Sequence, residues 1–255
     1  MTKFLFVIAN YPDWRQEFFD KYMSPRNKEY SHHHGFEYIE FRGGEPFYRD
    51  HPTWWKFTKL TDMIKDGTVK EGDTFSHIDA DMCIVDGRMP FITNKTFTYS
   101  VDSCNTHCMG LYSLKINEWA LKMLDLLLDD QRYEELKDKK TIGSMGELSA
   151  FWNIFREQAS WYSLCGIQRH SWDSFLTMPH YGWHSEINEY TVYDIPELYE
   201  HVEVLPPNWN VTEVPEEDGG NQFYINPTKT EDTIVRHFAA GRAWRPDYFE
   251  RPIIL

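Results

Sequence analysis

The feature that most narrows the fold is the order of the first three apolar runs. Residues 3–9 form a mostly apolar run of strand length, closed by Asn10-Tyr11-Pro12. Residues 13 to about 30 follow a helical pattern, and His34-Gly35 supplies its C-terminal stop. Residues 36–41 alternate like a strand, and a loop with Gly43, Gly44 and Pro46 follows. Pro52 then opens a second helical pattern reaching about Lys65, with Trp55, Leu60, Met63 and Ile64 on its apolar face. Gly67 and Gly72 bracket the turn into a third strand at residues 74–78. A βαβαβ opening predicts a parallel sheet covered by helices. Such sheets bind ligands at the carboxyl ends of their strands.

After the third strand comes a looser stretch, then a strand at 109–114 and an amphipathic helix at 115–130. In that helix Ile116, Trp119, Ala120, Met123 and Leu127 keep the 3.6-residue period. Residues 134–140 read as a solvated, charged connector, and 147–156 as a further helix. Residues 161–193 are irregular and crowded with Trp, Tyr and His, a composition suited to functional loops. Short strands are expected near 202–205 and 233–237. No internal repeat or interdomain linker interrupts the chain, so residues 1–255 are expected to form one domain. With 41% hydrophobic and 16% aromatic residues, the sequence has core material that an acidic disordered chain lacks.

Charge and cysteine content exclude some functions. The formal net charge of −14 argues against wrapping duplex DNA, which demands Lys and Arg against phosphates. Cys83, Cys104, Cys108 and Cys165 are too sparse for a secreted disulfide framework and lack zinc-site spacing. They are expected to be reduced and mostly buried. The N-x-T matches at Asn94 and Asn210 carry little meaning without a secretory route. The apolar runs are too short to span a bilayer, and the N-terminal run reads as a strand rather than a signal peptide. A soluble, cytoplasmic protein is the expectation.

The sharpest chemical signal is Phe75-Ser76-His77-Ile78-Asp79-Ala80-Asp81. Two carboxylates two residues apart at the end of a buried strand point the same way, because strand side chains repeat every two residues. Unpaired buried carboxylates are costly. A divalent cation is a common remedy, and Mg2+ or Mn2+ takes one or two carboxylates plus substrate phosphate oxygens. A calcium loop is excluded, since Cys83 and Ile84 stand where its pattern requires other residues. Two Asp opening an ordinary turn are the alternative.

Several segments in order resemble one family. Asn27-Lys28-Glu29-Tyr30 with His34-Gly35-Phe36-Glu37-Tyr38 is similar to an N-x-x-Y … H-G-Y-E passage. The segment from His51-Pro52 through Trp54, Trp55, Lys56, Lys59 and Leu60 resembles a P-x-Y-W-x-K-x-x-x-L helix. Asp79-Ala80-Asp81 stands at a W-x-D-x-D motif, and Gly110 to Trp119 resembles N-x-G-x-F-L-I-R-N-x-x-W. Val235-Arg236-His237-Phe238-Ala239-Ala240-Gly241 resembles a late H-F-x-G segment. Together they resemble the GT-A-fold glycosyltransferases, nearest to the galactosyl-, mannosyl- and xylosyltransferase family of fungal and plant enzymes. Two departures stand out: Cys108 replaces the expected Asn, and Leu148 replaces a Gln that usually follows the acidic residue at 147.

The resemblance implies a Rossmann-like α/β fold in one domain, with a mixed, mostly parallel central sheet flanked by helices. Residues 1–115 would hold the nucleotide sugar, and residues 116–255 the acceptor and the C-terminal metal-ligand segment. It implies transfer of a sugar from a nucleoside-diphosphate sugar, a UDP-sugar first, to a hydroxyl with retention. Asp79, Asp81 and His237 would hold Mn2+ or Mg2+, His favouring Mn2+; a hydrogen-bonded strand-end histidine is the alternative for His237. Glu147 and Asp81 are the expected catalytic residues, though Glu147 also suits the N-terminus of a helix. Ala9, Asn10, Tyr11, Lys56, Lys59, Asp79, Ala80, Gly241 and Arg242 are the expected nucleotide-sugar contacts, with Arg245 adding positive charge. The lysines are equally readable as solvent-facing charge, and Asn10-Tyr11 as an ordinary turn.

The expected partners are a sugar-nucleotide donor and a glycan, lipid or protein acceptor rather than nucleic acid. His32, His33 and His34 diverge around a helix end and are not expected to form a metal cluster. The aromatic residues of 161–183, with His170, His180 and His184, are either a sugar platform or core filler. Two rival functions remain: a non-catalytic carbohydrate-binding protein, and a nucleotidyltransferase making sugar nucleotides. The latter lacks the Gly-rich phosphate loop after the first strand.

Overall fold

The computed structural model describes residues 1–9, 13–43, 54–91, 94–101, 107–131, 133–134, 200–205, 207–212, 233–238 and 251–255. Strand β1 (Lys3–Ile8) is buried on both faces, as its continuous apolar run requires of a central strand. Helix α1 (Asp13–Phe18) continues through a single π turn (Phe19–Met23) into α2 (Ser24–His34). The wider turn ends two residues before Pro25, a residue that cannot donate to the α-helical ladder. Gly35 ends α2 with φ 68°, the left-handed cap expected of the His34-Gly35 stop. Strand β2 (Glu37–Phe41) and helix α3 (Trp55–Lys65) follow, and β3 (Thr74–Ile78) has the bounds its sequence predicts.

The looser stretch after β3 contains two strands that the sequence reading passes over, β4 (Met82–Ile84) and β5 (Phe97–Val101). Strand β6 (His107–Lys115) is longer than expected at both ends. Helix α4 (Glu118–Leu128) starts later than the expected residue 115, because the Asn117 side chain caps it by accepting the Ala120 amide at 2.9 Å. Strand β7 (Val202–Val204), a 3-10 turn (Pro207–Trp209), β8 (Val211–Thr212) and β9 (Val235–His237) complete the described elements.

Among the described residues, one sheet has the order β2-β1-β3-β6-β5-β7. Its β2-β1-β3 part is parallel, as the βαβαβ opening predicts, and β7 runs parallel to β5. Strand β6 is antiparallel to both β3 and β5, which makes the sheet mixed. Phe4, Phe6, Phe75, Phe97 and Leu114 face one core, with Phe57 and Leu60 of α3 and Ala120, Met123 and Leu127 of α4. Leu5, Val7, Ile78 and Leu111 face a second core with Phe19, Met23 and Tyr30 of the long helix.

A second sheet, β4-β9-β8, packs on that second core. Arg26 of α2, 7% exposed, donates to the carbonyls of Ile84 and Arg251, tying β4 to the helix and to residues 251–255. Cys83 and Cys108 are free thiols, while Cys104 and Cys165 lie outside the described residues. No helix among the described residues is long and apolar enough to cross a membrane.

Candidate functional site

Asp79 stands at the carboxyl end of β3, where the chain turns. Its amide donates to the Gly110 carbonyl at 2.7 Å, and the Met82 amide donates to the Asp79 carbonyl at 3.0 Å. The Asp79-Ala80-Asp81 turn is thereby clamped to β6, with Ala80 buried. Strand β4 then leaves the turn and pairs antiparallel with β9, Met82 opposite His237. One further bond, from the Phe238 amide to the Asp81 carbonyl at 2.9 Å, extends that pairing to the motif. The backbone ladder therefore delivers His237 to Asp81 across a long sequence separation. Its Nε2 lies 3.6 Å from Asp81 Oδ1, and the two side chains are mostly buried.

Asp79 is held differently. Period two on β3 puts His77 on the same face, and its Nε2 donates to Asp79 Oδ1 at 2.7 Å. Lys56 of α3 reaches the same oxygen at 3.4 Å and also donates to the Met109 carbonyl at 3.0 Å. Lys56 is only 2% exposed, a burial that a lysine sustains when its charge is answered at close range. Burial would raise the Asp79 carboxyl, but Lys56, then His77 and His237, hold it well below the usual carboxylate range. Burial likewise pulls the His237 imidazole down. Asp81, followed by the Cys108 thiol and Asp79, outweighs this and pushes it up to about 9.

Gly110 explains why the carboxylate fits. A Cβ at that position would sit 2.7 Å from Asp79 Oδ2 and 2.6 Å from the Met82 methyl carbon. The methionine end can move, whereas the carboxylate is fixed by Lys56 and His77. Gly110→Ala is therefore expected to cost about 1–3 kcal/mol, read as a lower denaturation midpoint, because overpacking forces side chains off their minima. An unchanged midpoint would show that Asp79 is freer than these bonds imply.

The remaining expected site residues divide into placed and undescribed. Ala9 is buried just beyond β1, its amide donating to Phe41 O at 2.9 Å and its carbonyl accepting from Gln16 Nε2. Lys59 lies one turn beyond Lys56 on α3, with Nζ 3.8 Å from Asp62 and 4.6 Å from the centre of the Phe41 ring. Asn10, Tyr11, Glu147, Gly241 and Arg242 lie outside the described residues, as do Arg245 and the aromatic stretch 161–183. His32 and His33 are exposed, while His34 Nε2 contacts the Gly87 carbonyl at 2.6 Å.

Sequence reasoning passed over His77, although its spacing from Asp79 was a usable signal. It also passed over Asn210, which is fully buried with Oδ1 3.1 Å from His237 Nδ1. Its place in one of the two N-x-T matches gave no hint of that contact.

Among the described residues, no group of three His, Cys, Asp or Glu side chains is already gathered as a metal site. The donor chemistry nevertheless suits a divalent cation. Asp79 Oδ1 is engaged, which leaves Oδ2 beside Gly110; Asp81 and His237 Nε2 face each other and add oxygen and nitrogen donors.

No protein-family model matches the chain, and no curated protein matches its sequence. Solved structures do match. A glycosyltransferase involved in the glycosylation of the major capsid of PBCV-1 aligns with TM-score 0.54 at 12% identity, covering 97% of this chain and 100% of that one. Mouse xyloside xylosyltransferase 1 in its apo form aligns with TM-score 0.53 at 11% identity, covering 96% and 100%. The chain thus has the GT-A-type fold of these glycosyltransferases, a mixed, mostly parallel sheet flanked by helices in one domain.

Proposed function

We propose that the chain transfers a sugar from a nucleoside-diphosphate sugar, a UDP-sugar first, to a hydroxyl of a glycan, lipid or protein. The observation that carries this reading is the meeting of Asp81 and His237 beside Asp79, at the carboxyl end of β3 in a GT-A-type sheet. In this reading Asp79, Asp81 and His237 hold Mn2+ or Mg2+. When bound, the cation supplies Lewis-acid neutralisation of the departing diphosphate.

The chain's own residues do the rest. Lys56 and His77 keep Asp79 ionised and fixed in place, and both are buried out of reach of bulk water. On this reading Ala9, Asn10 and Tyr11 are the contacts for the base and ribose, Lys56, Lys59, Arg242 and Arg245 supply positive charge for the diphosphate, and Ala80 and Gly241 are further donor contacts. Transfer proceeds with retention: the bond from C1 to the leaving phosphate oxygen breaks as the acceptor oxygen bonds to C1 on the same face. The acceptor's proton passes to that phosphate oxygen. Glu147 stabilises the positive charge developing on the sugar. Residues 1–115 form the nucleotide-sugar-binding half, and residues 116–255 the acceptor-binding half together with the C-terminal segment that brings His237, Gly241 and Arg242 to the donor.

The direct test is a panel of sugar nucleotides with Mn2+, followed by thermal shift and by release of the nucleoside diphosphate. A true donor raises the melting temperature according to RT ln(1 + [L]/Kd) and is turned over. Absence of both effects across the panel would overturn the proposal. Glycan binding that needs no metal, without turnover, would point instead to a carbohydrate-binding module.

A further inference from the structure

We infer that Asn210 is a positioning residue that fixes which ring nitrogen His237 turns toward Asp81. Three hydrogen bonds in series make the assignment. The Cys108 backbone carbonyl can only accept, so Ser100 Oγ, 3.3 Å away, donates its one proton there. Ser100 Oγ must then accept from Asn210, whose Nδ2 lies 3.1 Å away. That fixes the amide: its NH2 faces Ser100 and its Oδ1 faces His237. An amide oxygen can only accept, so His237 Nδ1, 3.1 Å away, carries a proton and donates it. The neutral ring is left with its lone pair on Nε2, the atom 3.6 Å from Asp81 Oδ1.

Backbone pairing holds each member in place. Asn210 immediately precedes β8, which runs parallel to β9 with Val211 opposite Arg236 and Thr212 opposite His237. The register of β5 against β6 shifts between Tyr99 and Ser100, and the shift sets Ser100 opposite Cys108. Ser100 and Asn210 are both fully buried, so water does not compete for the amide. The series joins the main sheet, through Ser100, to the small sheet that carries His237. Its consequence rests on the cation reading proposed above: a histidine ligand is oriented by the acceptor on its other nitrogen, and losing such a partner typically costs roughly 10–100-fold in metal affinity.

Two measurements test it in the parent chain, Asn210→Leu and Asn210→Asp. The first is the long-range 1H–15N NMR spectrum of the metal-free protein, recorded for each chain at a pH where its His237 ring is neutral. The parent and Asn210→Asp are expected to show a protonated Nδ1 and a bare Nε2, and Asn210→Leu to lose that preference. A protonated Nε2 in the parent, or an unchanged spectrum in Asn210→Leu, overturns the inference.

The second measurement is Mn2+ affinity by electron paramagnetic resonance. Asn210→Leu is expected to bind roughly 10–100-fold more weakly, with Asn210→Asp close to the parent because it keeps the acceptor. Equal affinity in all three, or equal losses in both variants, overturns the inference as well. A parent that binds no Mn2+ defeats the cation reading of the proposed function, while the NMR arm still decides the ring's orientation.

Discussion

Asp81→Ala is expected to lower turnover of the donor sugar nucleotide by roughly a hundred-fold or more, while the chain stays folded. Each tenfold in rate corresponds to about 1.4 kcal/mol, and charge stabilisation of a departing diphosphate by a held cation is worth several kcal/mol. Asp81 is the carboxylate that faces His237, so its removal takes away half of the closest donor pair. The fold survives because the Asp81 position is held by its backbone, whose carbonyl accepts from the Phe238 amide whatever the side chain. His237→Ala should produce a loss of similar size. The double variant should be little worse than either single one, since groups acting as a unit are not additive. Steady-state kinetics of the three variants, with circular dichroism to verify folding, make the check. Unchanged turnover in Asp81→Ala would refute the assignment of this site.

Lys56→Met is expected to destabilise the fold by about 2–4 kcal/mol. Breaking a buried ion pair by removing one partner typically costs 3–5 kcal/mol, because the other charge is stranded. Asp79 keeps His77 and is 28% exposed, which places the estimate toward the lower end. The Met109 carbonyl loses a donor too. In a chain of this length, about 1 kcal/mol corresponds to a shift of 2–4 °C in melting temperature, so thermal unfolding resolves the change. Pairing it with Asp79→Asn is expected to cost less than the two single changes together, because the stranded charge is gone. Strict additivity would mean that Lys56 is buried for packing and that its contact with Asp79 contributes nothing.

The central part of the fold was legible in the sequence because its signals are local. The apolar run of β1, the Gly35 stop and the bounds of β3 follow from periodicity and turn chemistry, and the structure has them. Strand β5 was not legible, although Phe97 and Tyr99 alternate correctly, because the residues between and after them are Thr98 and Ser100. Those two are fully buried here, as are Ser76 and Ser113, which bond to each other at 2.9 Å. Buried hydroxyls on a strand look like a loop until a partner strand is known. Strand β4, at three residues, is defined only by its pairing with β9.

The site divides the same way. Asp79 and Asp81 were visible as a spaced pair at a strand end, and His237 through a resemblance in a short segment. That Asp79 belongs with Lys56 and His77, while Asp81 faces His237, is a matter of tertiary contact. One sequence contains no trace of that division. Asn210 was the least legible, since nothing in its own neighbourhood points to His237.

The pairing of β4 with β9 also orders events during synthesis. Chains emerge from the ribosome N-terminal end first, and closing a long loop carries an entropic cost that local contacts do not. The parallel β2-β1-β3 unit, with its Asp79 and Asp81, can therefore form while residue 237 is still unmade. A nascent chain would display the acidic turn but not the imidazole. Under the proposed function, activity that depends on both is withheld until translation has passed β9.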